Sequence, residues 1–178
     1  MKISIKKVKS LKPCNDGLVW YEKNGSTDLL KTLLKVDKRY PAWARWLFTR
    51  LMTKKENLKI AIFSAEQVLN IFEKKYPNDN RPRNAIEAAK EVLRKNNIEN
   101  REKARYAADA DAADAAANAA YYAADAADAA ADAYYAANAA YYAAYYAAYA
   151  NATDKGKIQR KIIRKAVEIL DSRKRSSK

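Results

Sequence analysis

The stretch AADAADAAADAYYAANAAYYAAYYAA, residues Ala123 to Ala148, is written in four residue types and contains neither Gly nor Pro. Alanine is the best helix former, so this segment reads as helix. From Asp111 to Tyr149 a series of non-alanine residues recurs at steps of three or four, and the extra tyrosines Tyr122, Tyr134, Tyr141 and Tyr146 widen it. On a helix they form one carboxylate, amide and phenol stripe, while alanine covers most of the rest. The small alanine side chain lets neighbouring backbones approach closely. Asp dominates the stripe up to Asp132 and Tyr dominates it from Tyr134 to Tyr149. No breaker intervenes between Glu99 and Ala150. Kept straight, Tyr106 to Ala150 alone would span roughly 70 Å, longer than a domain of this size is wide. The tract is therefore expected either to protrude as one long helix or to fold back as a helical hairpin, with Asn118 and Asn138 as candidate reversal points.

The rest of the chain also reads as helical. Three Gly and four Pro in 178 residues leave few tight turns, and apolar residues recur mostly at helical spacing. A helix from Pro13 should stop at Gly25, and Ser26 or Thr27 can cap the next one, which carries Leu29, Leu30, Leu33 and Leu34. Pro41 suits the first turn of an aromatic helix with Trp43, Trp46, Leu47, Arg50 and Leu51. A helix from about Glu56 to Tyr76 presents Leu58, Ile62, Ala65, Leu69 and Phe72, and Pro77 ends it. Another runs from Pro82 through Leu93, and a last one runs from about Thr153 to Arg173. Only Lys2 to Lys9, where Ile3, Ile5 and Val8 are interspersed with lysines, suggests either a short N-terminal strand or an extended arm. The fold class is all-α: a multi-helix bundle with a long Ala/Tyr/Asp-rich helix or helical hairpin. The expected organisation is one helical domain over 1–178. It comprises aromatic and basic helices at 13–105, the low-complexity segment at 106–152, a basic helix at 153–173 and a frayed tail at 174–178.

The formal charge is +14 with a pI near 9.7. Residues 106–150 hold six Asp and no Lys or Arg, so the remainder carries about +20 once those charges are set aside. Such a chain attracts polyanions and acidic partners, and its own Asp stripe can answer part of the excess. The chain has no histidine, which removes the commonest general base near neutral pH along with every His-dependent triad and Cys/His zinc site. Gly17, Gly25 and Gly156 are too far apart for a phosphate loop or dinucleotide fingerprint. The reading is non-enzymatic, with no catalytic residues, metal or cofactor. The lone Cys14 forbids an internal disulfide and is expected to be a buried apolar side chain. With no signal-peptide core and no long apolar run, the expected setting is the cytoplasm, without a membrane partner.

Several segments together resemble the putative immunity protein family of bacteria and phages: Cys14–Trp20 (CNDGLVW), Trp43–Leu47 (WARWL), Arg81–Ala89 (RPRNAIEAA), the Ala/Tyr tract and Ile162–Leu170 (IIRKAVEIL). The resemblance implies an all-helical fold and a non-enzymatic role in biological conflict.

The expected function is therefore stoichiometric binding. A protein of phage counter-defence or immunity would neutralise a defence component or toxin, either by occupying it or by sequestering a nucleotide-like anionic signal. For such a ligand, Arg81, Arg83 and Arg50 are candidate phosphate contacts, and Trp43, Trp46, Tyr142 and Tyr145 are candidate stacking platforms. A nucleic-acid binder using the basic surface is the alternative, as is a helical interaction module that self-associates through its alanine face.

Overall fold

The computed structural model describes residues 1–108, 115–128, 133–150 and 154–175. Among these residues every regular element is a helix, and the chain divides into two compact units, Met1–Leu51 with Ile163–Lys178 and Met52–Ile162.

The first unit holds α1 (Ile5–Ser10), α2 (Asn15–Asn24), α3 (Leu29–Asp37), α4 (Pro41–Leu51) and the C-terminal part of α11 (Lys155–Arg175). The N-terminal lysine-rich stretch forms no strand. Lys2 makes an isolated antiparallel bridge to Asp28, the Ile3 amide donates to the Thr27 carbonyl at 2.8 Å, and the Leu29 amide donates to the Met1 carbonyl at 3.0 Å. From Ile5 the chain turns helical, with the Ser4 hydroxyl capping α1. Lys12, in the left-handed region at φ 54°, follows the end of α1, and Pro13 comes next. Cys14 is exposed rather than buried. Its sulfur caps α2, accepting from the Gly17 amide at 3.4 Å.

Gly25 ends α2 as the sequence suggests, but for reasons of space. Its φ is −65°, and a Cβ placed there would lie 2.6 Å from the Tyr21 carbonyl oxygen. Asp28, not Ser26 or Thr27, caps α3: its carboxylate accepts from the Lys31 amide at 3.1 Å. Ser26 works one step earlier, accepting from the Asp28 amide at 3.1 Å. Leu29, Leu33, Phe48 and Leu170 are fully buried in this unit. Each such side chain contributes about 1.5–3 kcal/mol by leaving water.

The second unit holds α5 (Lys54–Glu66), α6 (Leu69–Lys75), α7 (Arg81–Arg94), α8 (Ile98–Ala108), α9 (Ala115–Asp128) and α10 (Ala133–Ala150), and ends within α11. The expected helix from Glu56 to Tyr76 is two helices. Gln67 donates to the carbonyls of both Phe63 and Ser64, tightening the last turn of α5. The fully buried Val68, at φ −128° and ψ −4°, then leaves the helical region. A capping box starts α5: the Thr53 amide donates to the Glu56 carboxylate at 2.7 Å, and the Glu56 amide donates to the Thr53 hydroxyl at 3.3 Å.

The described parts of the low-complexity tract are packed rather than protruding. They belong to α8, α9 and α10, and both Asn118 and Asn138 lie inside helices rather than at reversals. Helix α9 packs against α5, α6, α7, α8 and α10 and leaves Asp125 exposed, while α10 packs against α9 and α5. Ala119, Ala120, Ala123, Ala124, Ala126 and Ala127 of α9 are all fully buried. A helix packed against five others leaves little room for large side chains between the axes, and alanine meets that constraint without giving up helix propensity. The helix start expected near Thr153 and the end of the tail at 176–178 fall outside the described residues. No described helix is long and apolar enough to cross a membrane.

Candidate functional site

The sequence of α10 sorts its side chains by face. Ala139, Ala143, Ala144 and Ala147 are buried, whereas Tyr135, Tyr142 and Tyr149 are 64%, 44% and 48% exposed. The three tyrosines recur every seven residues, close to two helical turns, so they line one face over roughly 21 Å. Tyr146, one turn beyond Tyr142, shares that face and is half-buried.

Rings from two helices meet there. Tyr122 of α9 stacks on Tyr142 (ring centroids 5.1 Å, planes 26° apart) and on Tyr146 (5.4 Å, 8°). Tyr141 meets Tyr142 edge-on at 5.3 Å, Tyr145 meets Tyr146 edge-on at 5.1 Å, and Tyr145 lies 4.4 Å from Tyr149. The Lys155 ammonium sits 3.3 Å from the centre of the Tyr149 ring and so sets a cation at one end of the array. Burial pushes the Tyr122 phenol up from its ordinary value, and Tyr146, Asp125 and Tyr142 reinforce the shift. Tyr122 therefore holds its proton to higher pH than a free phenol and presents a neutral hydroxyl within the array.

Such an array suits recognition. A tyrosine offers a large contact area with few rotatable bonds, and its hydroxyl can both donate and accept. Rings held by their neighbours have already lost much of the rotamer freedom that binding would otherwise remove.

The residues singled out from the sequence are distributed among three helices. Tyr142 and Tyr145 of α10 both belong to the array. Arg81 and Arg83 stand at the start of α7 and are held by carboxylates. Arg81 donates to Asp79 at 2.7–3.1 Å, and Arg83 forms a two-pronged pair with Glu73 at 2.7 and 2.8 Å. The Arg81 hydrogen bonds hold the Asp79 carboxyl below its usual value. A phosphate at this helix start would have to compete with ion pairs already formed. Trp43, Trp46 and Arg50 lie on α4 in the other unit, all half-buried, and Trp43 stacks on Tyr40 at 4.1 Å.

Sequence reasoning placed Tyr122, Tyr135, Tyr146 and Tyr149 on the stripe but not among the candidate binding residues, and did not single out Lys155. The seven-residue recurrence of Tyr135, Tyr142 and Tyr149 was readable as a face, but the partnership with Tyr122 depends on how α9 and α10 pack. Among the described residues no group of three or more Cys, Asp or Glu is placed to hold a metal ion.

Comparison with known proteins gives one positive finding. The family model described as "Imm-5 like putative immunity protein" matches residues 49–173, more than two thirds of the chain, including all of α5 to α10. No curated protein and no solved structure matches. With that match over the helices that build the tyrosine array, the chain belongs to the Imm-5 like putative immunity protein family.

Proposed function

We propose that this protein neutralises a toxin or defence protein by stoichiometric binding and that the tyrosine face of α10, backed by Tyr122 of α9, is the contact surface. The observation that carries this reading is the set of exposed rings at Tyr135, Tyr142 and Tyr149 on a helix whose opposite face is buried alanine. Interfaces enrich tyrosine at energetically dominant positions, and rings fixed by stacking keep the ordering cost of association low. The family supports an immunity role, and a protein partner suits the breadth of the array better than a small ligand does. Capture of a nucleotide-like signal, including in a phage counter-defence setting, is the narrower reading. Its phosphate contacts would require Arg81 and Arg83 to leave Asp79 and Glu73.

The test is co-expression with each product of the adjoining genes, scored as growth rescue, followed by calorimetric titration of the purified pair. The expected result is one-to-one binding and rescue that scales with dose. The double substitution Tyr142→Ala with Tyr149→Ala should weaken binding at least tenfold while leaving the helical circular dichroism unchanged. Inactivation of a molar excess of toxin would replace binding with turnover. Release of a near-stoichiometric nucleotide on denaturing the gently purified protein would move the reading to sequestration.

A further inference from the structure

The positive charge is not spread evenly. The first unit, Met1–Leu51 with Ile163–Lys178, holds 18 Lys and Arg against 6 Asp and Glu, a net of +12. The second unit holds 17 against 15, a net of +2. Almost all of the excess therefore resides in the unit without the tyrosine array. The segment carrying α1 to α3 lies outside the matched family region.

Within that unit the exposed lysines are arranged by the backbone. Val8 buries one face of α1, which turns Lys6 and Lys7 outward. On α3, Leu29, Thr32, Leu33 and Val36 are buried, and Lys31, Lys35 and Lys38 follow one another along the exposed side at steps of four and three. Successive charges there are about 4.5–6 Å apart along the axis. The Lys2–Asp28 bridge holds the approach to α1 beside the start of α3, and Lys2 is itself exposed. Of the nearby carboxylates, Asp28 caps α3, Glu22 pairs with Lys9, and Asp37 ends α3, against eight lysines between Lys2 and Lys38 on or beside α1 and α3.

We infer that the lysine surface of α1 and α3 binds the phosphate backbone of double-stranded nucleic acid, independently of the tyrosine face. Lysines dominate the surface, and lysine is a compact point charge that neutralises phosphates without the forked geometry that reads base edges. A single strand would need exposed rings on which to stack its bases. In this unit Trp20, Tyr40, Trp43 and Trp46 are half-buried and Tyr21 is buried. A duplex, which presents a dense and regular line of phosphates and needs no stacking platform, is the better match. Binding is expected to be insensitive to sequence and steeply dependent on salt.

The test uses the full chain and a short fluorescent duplex of mixed sequence, followed by polarisation across a salt series. Five phosphate contacts would give a log–log slope of about −4.5, so affinity should fall roughly 500-fold between about 50 and 200 mM salt. The fourfold reversal Lys6→Glu, Lys7→Glu, Lys31→Glu and Lys38→Glu changes the net charge by eight. A control carrying four reversals in the second unit, Lys59→Glu, Lys74→Glu, Lys95→Glu and Lys103→Glu, changes it equally. All of these positions are exposed, so circular dichroism should confirm that both variants fold. The expected result is at least a tenfold loss and a shallower slope for the first variant and a clearly smaller loss for the control. Equal losses would reduce the effect to net charge and overturn the assignment. So would no duplex binding at about 50 mM salt, or a polyglutamate peptide that competes better than duplex, which would point to an acidic protein. None of these outcomes bears on toxin binding by the Tyr142 and Tyr149 face.

Discussion

Helices α5 and α9 pack against each other in the same unit and build their shares of the core by opposite means. From α5, Leu58, Ile60 and Ile62 are buried together with Ala61 and Ala65, so bulk and small residues alternate. From α9 there are six fully buried alanines and the single bulky Tyr121. A buried alanine removes little apolar surface from water, about 0.8 kcal/mol for its one carbon beyond glycine, against about 1.5–3 kcal/mol for an isoleucine. What alanine supplies is proximity: neighbouring axes can come close, and the bulk needed to fill space comes from the partners. The helix of this unit with the most helical neighbours is therefore the one with the least side chain, and large rings from α9 and α10 gather at the surface.

That contrast can be broken at either helix. The largest effect is expected from Ile60→Ala, which removes a fully buried branched side chain. It should cost about 2–5 kcal/mol, read as a lower urea midpoint. Ala123→Leu tests the opposite failure, since a fully buried methyl has no room to grow. Overpacking there should cost about 1–3 kcal/mol, and if the stability stays at the wild-type level, α9 is not closely packed. Thr53→Ala removes half of the capping box that starts α5 and should cost about 1 kcal/mol in the same assay, with the helix content retained.

The smallest effect is confined to alkaline solution. The unfolded Tyr122 phenol ionises near its ordinary value, whereas the folded one holds its proton to higher pH. The folded state therefore binds more protons there, and stability falls as pH rises above about 10. Tyr122→Phe should leave stability at neutral pH nearly unchanged and flatten that alkaline decline. Tyr21, also raised by burial, continues to contribute in the variant. An unchanged alkaline limb would mean that the Tyr122 ring is not enclosed by its partners.

Much of the architecture was legible because it rests on local signals. The missing breakers and the helical period gave the all-α class, while Gly25, Pro41, Pro77 and Pro82 marked helix ends that the structure keeps. The division between α5 and α6 was not legible. It depends on the burial and backbone angles of Val68, a residue type that does not announce a break. Nor did the sequence tell which alanines of the Ala/Asp/Tyr tract are buried, because its residues are nearly interchangeable in propensity and only packing chooses among registers. At the candidate site, Tyr142 and Tyr145 could be named from composition. The carboxylates facing Arg81 and Arg83 separate the two cases: Asp79 is two residues away from Arg81 and readable as a turn partner, but Glu73 reaches Arg83 across the connection between α6 and α7.

The division into two units also sorts the chromophores. All three tryptophans, Trp20, Trp43 and Trp46, fall within Met1–Leu51, and eleven of the thirteen tyrosines fall within Met52–Ile162. Indole emission thus reports on the first unit, and near-ultraviolet ellipticity of the phenols reports chiefly on the second, without any introduced label. Coincident denaturation curves from the two signals would mark one cooperative transition, and separated curves would show the units melting in turn.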